Sequence, residues 1–256
     1  MKQGFVKVAS ATPRIRVADP VYNAQVICEQ AKEAAEHGAK IVVFPELCIT
    51  GYTCNDLFLQ ELLLEKAKEA LLTIAEETGQ LETLFLVGLP VDKDGRLYNV
   101  AAVLYRGRIL GMIPKKNIPM YAEFYEGRHF TPGEETVTEY RLGKQVIPFG
   151  SNLLFRCEEL PELVLGCELC EDLWVAEPPS TSHALMGATV IANLSASNET
   201  VSKDDYRTLL IKASSARLLC GYIYTSAGEG ESTQDLVFGG HDLIAENGTL
   251  LVQSAR

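Results

Sequence analysis

Three short stretches of this 256-residue chain each place a reactive side chain directly after an apolar run. In VVFPELCITGY it is Glu46, in GMIPKKNIPMYAEFYEGRHF it is Lys115, and in ELCEDLW it is Cys170. A thiol, a carboxylate and an ammonium are the parts that a nucleophilic amide cleavage needs. They supply the attacking atom, a base that later protonates the departing nitrogen, and a positive group for the oxyanion. Taken alone, Cys170 is an unpromising nucleophile. Glu168, Glu171 and Asp172 all lie within two residues of it, and nearby negative charge opposes the thiolate, the reactive form. A cation and a base from elsewhere in the chain have to offset that setting. Each stretch is weak by itself, because a glutamate after a strand is most often a solvated charge or a helix-capping partner. Spacing alone does not separate Lys115 from Lys116.

The elements that must position these groups follow from periodicity. GFVKVAS, KIVVFPE, LFLVGLP, VAAVLYRG, LVLGCEL, TVIANLS and YIYTSAG read as strands. Amphipathic stretches Asn23 to His37, Leu57 to Thr78 and Asp204 to Cys220 read as helices, each followed by a glycine that can cap it. Strand, helix, strand, helix, strand at the N-terminus argues for an α/β fold. Asp94-Gly95 and Asn247-Gly248, each between apolar runs, predict two-residue hairpins and therefore mixed sheets. Reactive side chains at strand ends suit such a fold, whose sites assemble where loops converge above a rigid sheet. The least regular region is Pro114 to Phe149, and a loop that long in a compact domain is more often functional than idle. No repeat, low-complexity segment or linker interrupts the chain, so residues 1–256 read as one continuous domain.

Composition narrows the function classes. Lys+Arg 23 against Asp+Glu 34 gives a net charge of −11, which argues against nucleic-acid or anionic-membrane surfaces. The apolar runs are too short to span a bilayer, and no basic-then-apolar leader precedes the first strand. Seven cysteines scattered through apolar segments read as reduced thiols in a cytoplasmic protein. Cys167 and Cys170 form a C-x-x-C, but zinc would need two more ligands, and no second such pair or paired histidines exist. If the strand continues, residues three apart point to opposite faces, which sends Cys167 into a core. No metal site is expected. The GEG of AGEGES, without a dinucleotide fingerprint around it, reads as a loop near the site.

Together and in this order, the Glu46, Lys115 and Cys170 stretches resemble the nitrilase (carbon–nitrogen hydrolase) superfamily. PKKNIPMYAEFYEGRHF, ELCEDLWVAEPPS, NLSASNETVSKDDYR and AGEGESTQDLVFGGHDLIAENGTLL resemble, more closely, the glutaminase half of glutamine-dependent NAD(+) synthetases. The resemblance runs from about Phe5 to Ser254. It implies a four-layer α-β-β-α sandwich with the site at one end of the paired sheets. It also implies L-glutamine hydrolysis through a Cys170 thioester, with Glu46 as the base and Lys115, directly after proline, as the cation. The backbone N–H of Glu171 would help Lys115 hold the oxyanion. Glu123 matches a second glutamate that positions substrate and lysine. Tyr52, Tyr121, Glu171, Trp174, Ser197 and Lys203 match residues lining the glutamine pocket, Lys203 being the candidate for the α-carboxylate. No cofactor is implied for hydrolysis. ATP and Mg belong to a synthetase domain whose Ser-Gly-Gly-x-Asp-Ser type loop is not in this sequence. The chain therefore reads as the glutaminase portion of a longer protein, a homo-oligomer by family habit. Two other readings stand beside it: a stand-alone amidase for another small amide, and a non-catalytic domain of the same fold. The latter predicts loss of one of the three reactive residues, and all three are present.

Overall fold

A computed structural model describes residues 4–255. The first sheet holds seven strands in the order β1-β2-β3-β4-β5-β7-β6. These are β1 (Val8–Ser10), β2 (Ile41–Val43), β3 (Leu84–Lys93), β4 (Arg96–Tyr105), β5 (Arg108–Pro114), β6 (Thr138–Leu142) and β7 (Gln145–Phe149). The second holds six in the order β13-β12-β11-β10-β9-β8. Its strands are β8 (Phe155–Arg156), β9 (Val164–Leu169), β10 (Val190–Ser195), β11 (Gly221–Ser226), β12 (Leu243–Glu246) and β13 (Thr249–Gln253). Helices α1 (Pro20–Glu36) and α2 (Glu61–Glu77) belong with the first sheet, α3 (Pro179–Leu185) and α4 (Lys203–Leu218) with the second.

Three apolar cores divide these elements into four layers. Strand alternation decides which core each residue enters. Ile41, Val43, Leu86, Ala101 and Val103 meet Leu165, Cys167, Leu169, Ala192 and Ile223 between the sheets. Their neighbours Val42, Phe85, Val87, Val100 and Ala102 face the other way, onto Ile27, Ala31, Leu71 and Ile74 of α1 and α2. Ile191, Tyr222 and Tyr224 cover the far side of the second sheet with Ile211 of α4. This is the α-β-β-α sandwich.

Both predicted hairpins form. Asp94 and Gly95 have φ of +53° and +70°, and Asn247 and Gly248 have +46° and +86°, as a type I′ turn requires. Parallel pairing of β1 with β2, β2 with β3, and β9 with β10 and β11 makes the sheets mixed. Helix α1 starts where Asp19 accepts from the Tyr22 N–H at 3.1 Å and Pro20 takes the first turn.

Two expectations change. Leu57 to Thr78 is not one helix: a 3₁₀ segment, Tyr52–Leu59, precedes α2, and Gln60, extended at φ −88° and ψ +117°, separates the two. The Pro114 to Phe149 stretch is irregular only to residue 137 and then forms the β6–β7 hairpin. There Tyr140, Leu142, Ile147 and Phe149 point into the core, an alternation hidden by intervening charges. Helix α3, short and proline-initiated, carried no periodic signal.

Candidate active site

Glu46 follows β2 on a tight turn in which Leu47 has φ +52°. The turn lies flat on β3 at Gly88. A Cβ there would sit 2.3 Å from the Leu47 nitrogen and 2.6 Å from the Pro45 oxygen, closer than any side chain permits. The Glu46 N–H reaches across to Ser195 O of the second sheet at 3.3 Å. Lys115 follows β5, its N–H held by Asn99 O at 2.8 Å. Its Nζ donates to Glu46 Oε1 and to Glu126 Oε1, each at 2.6 Å. Asn99 Nδ2 donates to Glu46 Oε1 at 2.7 Å, and Tyr52 Oη to Glu126 Oε1 at 2.9 Å. Glu46, Asn99, Lys115 and Glu126 are buried, and Tyr52 is half-buried at their edge. Glu46 Oε2 is buried there with no hydrogen-bond partner among the described residues. Lys116 instead points outward to Glu135 at 2.5 Å, which separates the two lysines as sequence spacing did not.

Cys170 follows β9 directly and opens the 3₁₀ turn Cys170–Leu173. Its φ of +41° is uncommon for a residue with a side chain and is a form of strain that clusters at functional sites. Asp172 ties this elbow to the Lys115 segment. Its carboxylate accepts from Leu169 N at 3.0 Å, Asn117 N at 2.8 Å and Asn117 Nδ2 at 2.8 Å. Glu168 points away from the pocket, accepting from Tyr222 Oη and from Ser180 N. Burial pushes the Cys170 thiol pKa up, Glu46 and Glu126 push it further, and Lys115 and the Ala196 N–H pull it down. The thiol therefore rests protonated. Burial alone would lower the Lys115 pKa, but Glu126 and Glu46 outweigh it and hold the ammonium charged.

Above Cys170 opens a cavity of about 390 Å³. Tyr121, Glu123, Glu171, Trp174, Ser197 and Lys203 all line it. Tyr121 Oη donates to Glu171 Oε2 at 2.9 Å. Lys203 Nζ stands 5.3 Å from the Trp174 ring centre and 5.6 Å from that of Phe124. Two expectations need correction. Tyr52 does not line this cavity: its hydroxyl backs Glu126, and it borders a smaller cavity next door. The carboxylate on the lysine is Glu126 and not Glu123, because the 3₁₀ turn Glu126–Arg128 folds Glu126 inward while Glu123 stays at the pocket wall. Asn99, Glu126 and Asn198 were missed. Asn99 sits one residue before VAAVLYRG, outside the run read as a strand, and Glu126 is one acid among several in an irregular stretch.

The GEG loop and Glu231 after it pack closely on backbone. A Cβ on Gly230 would sit 1.9 Å from Ile15 O, and Glu231 accepts from Tyr52 N, Thr53 N and Thr53 Oγ1 at 2.7, 3.0 and 2.6 Å. Cys167 packs between the sheets, and the cysteines are free thiols. Among the described residues, no group of three or more His, Cys, Asp or Glu is placed to hold a metal ion.

Comparison with known proteins places this geometry. The chain is 44% identical over 255 residues to the glutamine-dependent NAD(+) synthetase of Mycobacterium tuberculosis, covering 100% of this chain and 38% of that protein. It is 32% identical to the Thermotoga maritima protein of the same name, covering 96% and 39%. The chain thus spans about two fifths of the length of these relatives. The crystal structure of a glutamine-dependent NAD(+) synthetase from Cytophaga hutchinsonii superposes with a TM-score of 0.88 at 29% identity, over 98% of this chain and 40% of that one. An amidase from Nesterenkonia sp. shares the fold at a TM-score of 0.76 and 21% identity, over 100% and 88%. The profile described as Carbon-nitrogen hydrolase matches residues 7–255, nearly the whole sandwich that carries Glu46, Lys115 and Cys170, and the chain belongs to that family.

Proposed function

We propose that this chain hydrolyses L-glutamine to glutamate and ammonia through a thioester on Cys170. The observation that carries the reading is the unpartnered, buried Glu46 Oε2 in a site whose other charges act on the Cys170 sulfur. An acceptor left unsatisfied away from water is costly unless it has work to do, and here the work is to take the thiol proton. As that proton moves to Glu46, sulfur attacks the carboxamide carbon. Lys115 has three N–H donors. Two are spent on Glu46 and Glu126, which leaves one for the oxyanion beside the Glu171 N–H. Glu46 passes its proton to the nitrogen, the C–N bond breaks and ammonia leaves. Water then gives a proton to Glu46 and attacks the thioester. The C–S bond breaks, sulfur recovers the proton, and glutamate departs.

Within the pocket, Lys203 is proposed for the substrate α-carboxylate, with Tyr121, Glu123, Glu171, Trp174 and Ser197 around it. Tyr52 acts indirectly, through Glu126. The half-reaction uses no cofactor. By likeness to relatives more than twice its length, the chain would supply ammonia to a synthetase domain that uses ATP and Mg to amidate nicotinic acid adenine dinucleotide to NAD. Apolar side chains exposed on the outer helix layer, Leu185, Leu209 and Leu219, support homo-oligomer packing there. Incubation with glutamine or a reactive glutamine analogue, followed by mass spectrometry, is expected to find a glutamyl adduct on Cys170. Cys170→Ala is expected to release no ammonia. An adduct on another cysteine, or turnover by Cys170→Ala, would remove the mechanism. A Cys170 adduct from small neutral amides but not from glutamine would favour a stand-alone amidase.

A further inference from the structure

Asn198 takes no part in those steps, yet its buried side chain forms the wall of the cavity that opens on Cys170. Its Nδ2 donates to Glu123 Oε1 and its Oδ1 accepts from Lys203 Nζ, so the two charged residues meet through the amide rather than directly. The amide can sit only one way round, because a flip would turn its NH₂ onto the ammonium and its oxygen onto the carboxylate. Its backbone is fixed as well. Asn198 O accepts from Arg207 Nη2 at 3.2 Å, the same nitrogen that donates to Ser197 Oγ, and Asn198 pairs with Phe238 in an isolated β-bridge. Arg207 is fully buried and lies one turn beyond Lys203 on α4. The helix that supplies the cation therefore also anchors the amide.

A glutamate and a lysine facing one sheltered cavity would otherwise close on each other, since Coulomb attraction grows as solvent is excluded. A direct pair would cancel both charges and fill the pocket mouth. Asn198 satisfies one lone pair of Glu123 and one proton of Lys203. The second Glu123 oxygen and two lysine protons remain for a ligand. We propose that Asn198 is a specificity-determining positioning residue, its amide holding Glu123 and Lys203 apart as separate anion and cation so that the pocket takes the zwitterionic head of an α-amino acid. The ammonium of the ligand faces Glu123 and its carboxylate faces Lys203. Trp174 and Phe124 flank the lysine head, which limits its wandering and favours the cation in place. This inference rests on the amide-hydrolase reading of Cys170 and sharpens its substrate class.

Equilibrium binding to the Cys170→Ala chain, measured by calorimetry without turnover, tests it. The ligands are L-glutamine, 4-carbamoylbutanoate, which lacks the α-ammonium, and butanamide, which lacks both charges. Asn198→Ala in that background is expected to weaken glutamine by about tenfold or more, the worth of a lost charged contact. Adding Glu123→Gln is expected to restore 4-carbamoylbutanoate to within about threefold of Glu123→Gln alone, because the collapsing partner is gone. A purely structural role for Asn198 would not be rescued by deleting a charge. The nearly isosteric Asn198→Asp, which pairs with Lys203 and repels Glu123, is expected to weaken 4-carbamoylbutanoate by about tenfold. Glutamine affinity unchanged by Asn198→Ala, or no rescue by Glu123→Gln, overturns the inference and leaves the hydrolase reading intact. If the parent binds butanamide but not glutamine, the amino-acid substrate class falls and the inference with it. If it binds no amide, the hydrolase reading falls too.

Discussion

Cys170 shares a buried space with two carboxylates and one ammonium, and the carboxylates act on the thiol more awkwardly than the flanking acids do. Burial, Glu46 and Glu126 raise the thiol pKa while Lys115 lowers it. In the proposed mechanism Glu46 therefore has two opposed parts, suppressing the free thiolate and accepting the proton during attack. The two parts separate in Glu46→Gln. Removing the charge lowers the thiol pKa, so alkylation of Cys170 by iodoacetamide at neutral pH becomes faster. Removing the base drops ammonia release by about 10²- to 10⁴-fold. Slower alkylation, or turnover at the wild-type rate, would show that another group is the base. The three reactive residues were legible because each ends an apolar run with a residue type that a bare strand end does not need. The residues that hold them were less so. Glu126 is three positions from Glu123 in a stretch without periodicity, and nothing but the local 3₁₀ turn turns one inward and leaves the other at the pocket.

Elements reach the site by close approach of backbone, and Gly88 is the tightest instance. The Pro45–Leu47 turn lies on β3 so closely that a methyl group would overlap backbone atoms at 2.3 and 2.6 Å. Backbone cannot swing aside as a flexible side chain can, so Gly88→Ala must push the Glu46 turn off the strand. Overpacking of this kind costs about 1–3 kcal/mol and sometimes more. The urea midpoint should fall accordingly, and ammonia release should fall beyond what the lost stability explains, because Glu46 Oε1 leaves Lys115. A variant destabilised but fully active per folded molecule would mean that the turn tolerates the shift. The sequence displays this glycine inside LFLVGLP, an isolated glycine in a strand being a sign of close backbone approach, but not what approaches it. Elements with strong local signals were legible: the two turns at Asp94-Gly95 and Asn247-Gly248, the strands that alternate, and helix α4. The β6–β7 hairpin was not, since its apolar residues alternate with Glu139 and Arg141 and its turn at Gly143 sits in a stretch read as loop.

Across the whole molecule, the sandwich is apolar in its middle and polar at the end that carries the site, and several contacts between sheets are made by buried polar groups there. Thr225 Oγ1 donates to Val43 O at 3.1 Å, and Asp242 accepts from Ser226 N at 2.9 Å and from Thr12 Oγ1 at 3.0 Å. The Asp242 carboxylate joins the exit of β1 to the end of β11, while Glu168 joins β9 to β11 and the start of α3. Burial raises both, to about 7 in each case, against partial relief from Ser226, Thr12 and Ser10 for Asp242 and from Tyr222 and Ser180 for Glu168, whose neighbour Asp172 raises it further. A carboxyl whose folded pKa exceeds its unfolded one binds more protons folded than unfolded in the interval between them. Stability there falls as pH rises. The contribution is whole below the ordinary carboxylate range and is lost as pH passes through about 7, with a ceiling of about 3 to 4 kcal/mol for each group. Urea midpoints should therefore decline between about pH 5 and pH 8, opposite to the rise that paired surface carboxylates produce in acid. Glu168→Gln and Asp242→Asn, which stay neutral, should each flatten that decline and leave the double variant at least as stable as wild type above neutrality. A midpoint that rises across the interval, or variants that lose stability equally at both ends, would mean that the hydrogen bonds to these carboxylates outweigh their burial.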